Sequence, residues 1–201
     1  MWLKPGGRAM PFTATQSFAV DRVAFAWQAR FRLIGPLALS VVDDFDDGHG
    51  QLAVRLFGAP LQRQRGAEVS AGQALRYLAE LPWVPPAIVG NPQLEWRGLD
   101  GRHAEVAANV AGERLTVTLE FGDAGDVVRA RSKLRKRKVD GHWEATAWGG
   151  AFREYAQLGS LRLPTAGAAY WELPEGRYVY WRGTVTSAEL LEQPFRGDDG
   201  D

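Results

Sequence analysis

The sequence predicts a mainly β fold of the α+β class, a curved antiparallel sheet or half-barrel wrapped around one central helix. Three observations lead there. Apolar and polar residues alternate with period two over long stretches on both sides of the middle of the chain. A segment with helical spacing, Ser70 to Leu81, separates those stretches and runs into Pro82-Trp83-Val84-Pro85-Pro86. Eight tryptophans supply large apolar surfaces, each able to remove up to about 250 Å² from water.

From the N-terminal side, Phe12, Ala14, Gln16, Phe18 and Val20 share one strand face, with Thr13, Thr15 and Ser17 opposite. Val23, Phe25, Trp27, Ala29, Phe31 and Leu33 repeat the pattern against Gln28, Arg30 and Arg32, and Gly35-Pro36 turns the chain. Leu37, Leu39, Val41, Asp43 and Phe45 form the next strand. Asp46-Asp47-Gly48-His49-Gly50 provides hairpin chemistry before Leu52, Val54 and Leu56. Ser70 followed by Gln73 has capping-box spacing, which predicts the helix start at the serine. Leu75, Leu78 and Ala79 make the apolar stripe, and a second short helical turn is expected from Pro85 or Pro86.

Beyond the helix, strands are expected at His103 to Val110, Leu115 to Phe121, Val127 to Leu134, Trp143 to Trp148, Ala169 to Leu173 and Val179 to Val185. Asp100-Gly101, Gly122 to Gly125, Asp140-Gly141 and Glu175-Gly176 are the turns between them. Residues 1–195 are predicted to form one domain, and the acidic end, 196–201, to be disordered.

Composition narrows the function classes. With 24 basic and 24 acidic residues the net charge is zero, so general attraction to nucleic acid is not expected. No cysteine is present, which removes thiol chemistry and Cys-ligated zinc. No stretch approaches the roughly 20 apolar residues of a membrane span, and the expectation is a soluble, cytoplasmic protein by default. His49, His103 and His142 each fall beside a separate turn, so neither a metal site nor a cofactor is expected.

Several segments carry a family likeness: Pro11 to Gln16, Phe25 to Arg30, Asp43 to Gly50, Arg76 to Pro85, Trp148 to Tyr155, and Tyr170 to Trp181. The chain resembles a bacterial domain-of-unknown-function family whose members look like relatives of the LolA/LolB lipoprotein-carrier half-barrel. The resemblance covers nearly the whole chain, and the helix-to-proline segment is its most specific part. It implies a half-barrel and a capacity for ligand binding, and it implies no catalytic residue.

Gln16 and Asp43 interrupt apolar strand faces, and a buried polar group without a partner costs roughly 1–3 kcal/mol. Two roles are open to them: satisfying buried backbone, or lining a pocket together with Tyr77 and Glu80 of the helix. In the pocket, Asp43 and Glu80 would be a carboxylate pair for acid/base work. Trp27, Trp148, Trp171 and Trp181 read as core or as ligand platform. Trp83, held between prolines, reads as the rim of a cavity. Arg129, Arg131, Lys133, Arg135 and Arg137 alternate along a strand, with Lys136 and Lys138 opposite, and this run reads as a solvated edge strand or a weak contact for anionic surfaces.

The leading expectation is a binding module that takes a hydrophobic or lipid-like small molecule between sheet and helix, its polar end oriented by Gln16, Arg30, Asp43, Tyr77 or Glu80. The alternatives are an enzyme of unknown reaction using Asp43 or Glu80, and a scaffold for a protein partner.

Overall fold

A computed structural model describes residues 1–2, 6–32, 38–192 and 195. The expected turn at Gly35-Pro36, the Leu33 end of its strand and the tail 196–201 lie outside the described residues. Among the described residues, fourteen strands and two α-helices follow one another, the strands pairing antiparallel. The first sheet contains β1 (Phe12–Phe18), β2 (Phe25–Arg32), β3 (Ala38–Asp46), β4 (His49–Leu56) and β5 (Ala59–Arg65), paired in chain order. Next come α1 (Ala67–Ala79), a 3-10 turn over Leu81–Trp83, and α2 (Pro85–Gly90). The second sheet is built from β6 (Glu95–Gly98), β7 (His103–Val110), β8 (Glu113–Phe121), β9 (Val127–Ser132), β12 (Trp148–Leu158), β13 (Leu161–Leu173) and β14 (Gly176–Thr184). Between β9 and β12 the chain leaves this sheet to form a separate hairpin, β10 (Lys136–Val139) and β11 (His142–Ala145).

The expected single curved sheet is therefore divided, with five strands in one ladder, seven in another and a two-stranded hairpin apart. The helical segment is the physical reason. It interrupts hairpin succession between β5 and β6, and α1 touches β3, β4 and β5 as well as β7, β8 and β9. Side chains from both sheets and from α1 merge into one core: Phe25, Phe31 and Phe45 from the first, Val106, Val117, Leu119 and Phe152 from the second, Leu75 and Leu78 from the helix. The mainly β, antiparallel character matches the sequence reading, and the core is shared rather than wrapped by a continuous sheet.

In the first half of the chain two local expectations change, and in the second half the expected strand Trp143 to Trp148 is split between β11 and β12. Ser70 is not the N-cap; α1 starts a turn earlier, after Gly66, and no side chain caps it. Ser70 instead accepts the Gly50 N–H at 2.8 Å on Oγ, where β4 approaches the helix so closely that a Cβ on Gly50 would stand 2.9 Å from the Ser70 Cα. Gln73 likewise turns away from the helix end and donates to Asp43. The second change is β5, which the sequence reading passed over. Phe57 and Gly58 both take positive φ, 55° and 81°, in the turn before it, and an aromatic residue in that conformation is not a turn signal. The hairpin turn at Asp47-Gly48 and the short helix from Pro85 occur where expected.

Candidate functional site

Register places three of the expected residues in one row. Gln16 of β1 pairs with Trp27 of β2, and Trp27 with Asp43 of β3. Residues at i, i+3 and i+7 of a helix share a face, so Gln73 and Arg76 of α1 meet that row together with Glu80, its C-cap. The result is a closed ionic network. Arg76 donates through Nη1 to Asp43 and through Nε to Glu80 at 2.8 Å, and its Nη2 reaches Gln16 Oε1 at 3.4 Å. Gln16 Nε2 donates to the second Glu80 oxygen at 2.6 Å, and Gln73 Nε2 to the second oxygen of Asp43. The Arg76 guanidinium also lies over Phe25 and Trp27, 4.9 and 5.1 Å from their ring centroids.

Electrostatics follow from burial. The Asp43 carboxyl is pushed up by loss of water, and Arg76 pulls it back. Burial also acts to lower the Arg76 pKa, but Glu80 and Asp43 outweigh it and hold the guanidinium above its ordinary value. Asp43 and Glu80 do meet, through the cation between them. Each of the four carboxylate oxygens of Asp43 and Glu80 accepts a protein donor, while the amide oxygen of Gln73 is buried without a hydrogen-bond partner among the described residues.

The other expected residues divide. Tyr77 is fully buried but stands apart from the network: its hydroxyl donates to the Ala19 carbonyl at 2.9 Å and accepts from Asn91 Nδ2 at 3.0 Å, and burial raises its pKa to about 12. Arg30 lies on the exposed face of β2, opposite the row, because strand residues alternate. It cannot orient a ligand beside Asp43, and its expected place in that site is corrected. Trp83 donates to the Pro164 carbonyl at 2.9 Å and packs edge-on against Phe152 and Trp181. Trp181 continues to Phe12, and Phe12 to Trp27, so aromatic rings join β14 to β1 across the two sheets.

Trp148 and Trp171 belong to a second cluster that the sequence hid. Arg135 follows β9, where the strand breaks because Ser132 Oγ accepts the Leu134 N–H at 3.1 Å. Its guanidinium turns inward, 4.2 Å from the Trp148 ring centroid and 6.0 Å from that of Trp171, and burial lowers its pKa. Trp148 Nε1 donates to the Tyr180 hydroxyl at 2.8 Å, and Tyr180 stacks on Trp171. Arg129 and Arg131 of the basic run are thus not on an edge strand, whereas Lys136, Arg137 and Lys138 lie in β10, which pairs with β11 alone. β9 is paired on both sides, Arg129 and Arg131 face Glu120 at 3.3 and 3.6 Å, and Lys136 reaches Glu68 at 3.2 Å.

The helix–sheet interface expected to hold a ligand is filled: Leu75, Tyr77, Leu78 and Leu81 show no exposed surface. Open space lies elsewhere. A groove of about 380 Å³ runs between β5 and the β10–β11 hairpin, lined by Gln62, Arg63, Gln64 and Arg65 on one side and Lys138 and Trp143 on the other, with Val69 of α1 beneath. Arg63 and Arg65 both aim at one neutral atom. Their Nε and Nη2 groups donate to Gln51 Oε1 at 2.8–3.2 Å, while Gln51 Nε2 donates to Asp44 at 2.8 Å. Lys138 stands 6.0 Å from the Trp143 ring centroid on the facing wall. Sequence reasoning missed this groove because it missed β5; the Gln-Arg-Gln-Arg alternation at residues 62–65 was the available signal.

A model of the family of unknown function DUF6544 matches residues 1–183. The chain belongs to that family. No curated protein and no solved structure matches it, and none of these comparisons supports the expected likeness to LolA/LolB carriers. As a member of DUF6544 the protein inherits no assigned activity, and its function has to be argued from its own side chains.

Proposed function

We propose that the protein is a binding module that takes an anionic partner in the groove between β5 and the β10–β11 hairpin. The observation that carries this reading is the convergence of Arg63 and Arg65 on a neutral amide oxygen. Neither arginine is ion-paired with a carboxylate among the described residues, and Lys138 adds a third cation to the same groove. Guanidinium forks bind carboxylate or phosphate oxygens more strongly than a neutral carbonyl, so an anion entering the groove displaces Gln51 with a gain in hydrogen-bond strength. Trp143 and Val69 provide apolar surface beside the charges, which suits a partner with an apolar portion, the feature expected of a lipid-like ligand.

The competing readings need more than the arrangement offers. A ligand between helix and sheet would have to displace Tyr77 and Leu78 from full burial. An acid/base role for Asp43 or Glu80 would have to break hydrogen bonds from Arg76, Gln73 and Gln16, and neither carboxylate lines the groove.

Fluorescence titration at low salt with poly-glutamate and with inorganic phosphate tests the proposal, with Trp143 as a local reporter. Binding that weakens with salt and drops roughly tenfold or more in Arg63→Gln/Arg65→Gln, but not in Arg30→Gln, is expected. Equal titration curves for wild type and the double variant would refute it.

A further inference from the structure

Four consecutive residues of β5, 62 to 65, line the groove. Side chains of a strand alternate between its two faces, so one face alone contributes only every second residue. All four border the space because the groove runs along the edge of the strand. β5 is the outermost strand of its sheet and is hydrogen-bonded to β4 alone, in the register Gln51 to Arg65 through Val54 to Gln62. In an antiparallel ladder every second residue of such a strand turns its N–H and C=O away from its neighbour. Those groups point into the groove, and the facing wall is a hairpin that pairs with neither large sheet.

Resting on the reading that the groove takes an anionic partner, we propose that the partner is an extended acidic polypeptide segment that adds to the edge of β5 as a further strand. Main-chain hydrogen bonds would supply the general affinity, as they do wherever a peptide extends a sheet. Side chains would supply the choice of sequence. Arg63 and Arg65 lie two apart and share a strand face with Gln51, their common acceptor, so acidic residues at every second position of the added strand come opposite them. The alternate positions face inward, toward Val69, Lys138 and Trp143, and suit apolar or aromatic side chains.

A smaller hollow of about 70 Å³ shares Gln62 and Arg63 with the groove and spreads from there across β4 to Val42 of β3, over the sheet face rather than along the edge of β5. The two arginines also have a protective role in the absence of a partner, since like charges at an exposed edge oppose pairing between two copies of β5. An acidic segment removes that repulsion, which makes the edge selective rather than closed.

The test uses a capped peptide of about eight residues alternating Glu and Val, a length typical of a strand. Two further versions carry N-methyl groups on alternate residues, one on the odd and one on the even positions. An added strand directs only one of these sets of N–H groups at β5, so one methylated peptide loses binding at least about tenfold and the other retains it. Arg63→Gln/Arg65→Gln weakens the parent peptide by a similar factor. Near-ultraviolet circular dichroism and the urea midpoint of the variant confirm that it is folded. If both methylated peptides bind like the parent, or if free glutamate competes as well as the peptide at equal charge, strand addition is overturned while the anionic groove stands. If the double variant binds every anionic probe as the wild type does, the reading of the groove itself falls, and this inference with it.

Discussion

Arg76 and the pair Arg63 and Arg65 make the same kind of bond in opposite settings. Arg76 is enclosed by α1 and the first sheet, and its fork is divided between two carboxylates and an amide. Arg63 and Arg65 sit at an open edge and spend two forks on one neutral oxygen. In the interior, an arginine without its carboxylates would be an uncompensated buried charge, so the network must be complete before the fold is stable. At the edge, water satisfies whatever the protein does not, and incompleteness costs little. Paired carboxylates fit a structural role for the first, and the lack of an ion pair at Arg63 and Arg65 among the described residues fits the role in binding proposed for the second.

The sharpest way to break the comparison is at Arg76. Replacing it with methionine leaves Asp43 and Glu80 buried without a cation, and a loss of about 3–5 kcal/mol is expected in urea unfolding. A loss below about 1 kcal/mol would mean that water reaches the network, and the contrast with the edge would fail.

Tyr77 extends the contrast to pH. Its folded pKa of about 12 exceeds the ordinary value of 10.0, so the unfolded chain loses this proton first. The associated stability is fully present below pH 10 and is lost as pH rises toward 12, by roughly 2–3 kcal/mol. Unfolding measured across that window should fall steeply in the wild type and less so in Tyr77→Phe. Burial also raises Tyr155 and Tyr178, which titrate in the same sense and contribute to the remaining slope.

Gly167→Ala probes the aromatic contacts between the sheets. A Cβ there would overlap the Trp83 ring, and about 1–3 kcal/mol of destabilisation is expected, with a shift in tryptophan emission. The smallest effect belongs to the edge: Arg63→Gln/Arg65→Gln should change stability by no more than about 0.5 kcal/mol while weakening anion binding. A large loss of stability in that variant would place Arg63 and Arg65 with Arg76, as structural residues.

How much of this was legible varied with the range of the interaction. Gln16 and Asp43 stood out as polar residues on apolar faces, and both do find buried partners. Arg76 was hidden in plain spacing: Gln73, Arg76 and Glu80 share a helix face, but the Ser70-Gln73 pair matched a capping box and drew Gln73 to the wrong partner. Arg135 sat in a run of alternating cations that looked like one solvated strand, and only the break after Ser132 turns it toward Trp148. β5 was lost because its preceding turn uses Phe57 at positive φ.

The sequence by itself determined the antiparallel, mainly β character, most of the turns and the place of the central helix, because period-two alternation and turn chemistry act between near neighbours. The tertiary structure decided that two sheets share the helix, that Asp43 and Glu80 are joined through Arg76, and that Arg63 and Arg65 border an open groove. Those outcomes depend on which strands meet across the core and which edge is left unpaired. Pairing of that kind brings together residues 20 to 64 positions apart, and local preference carries no information about it.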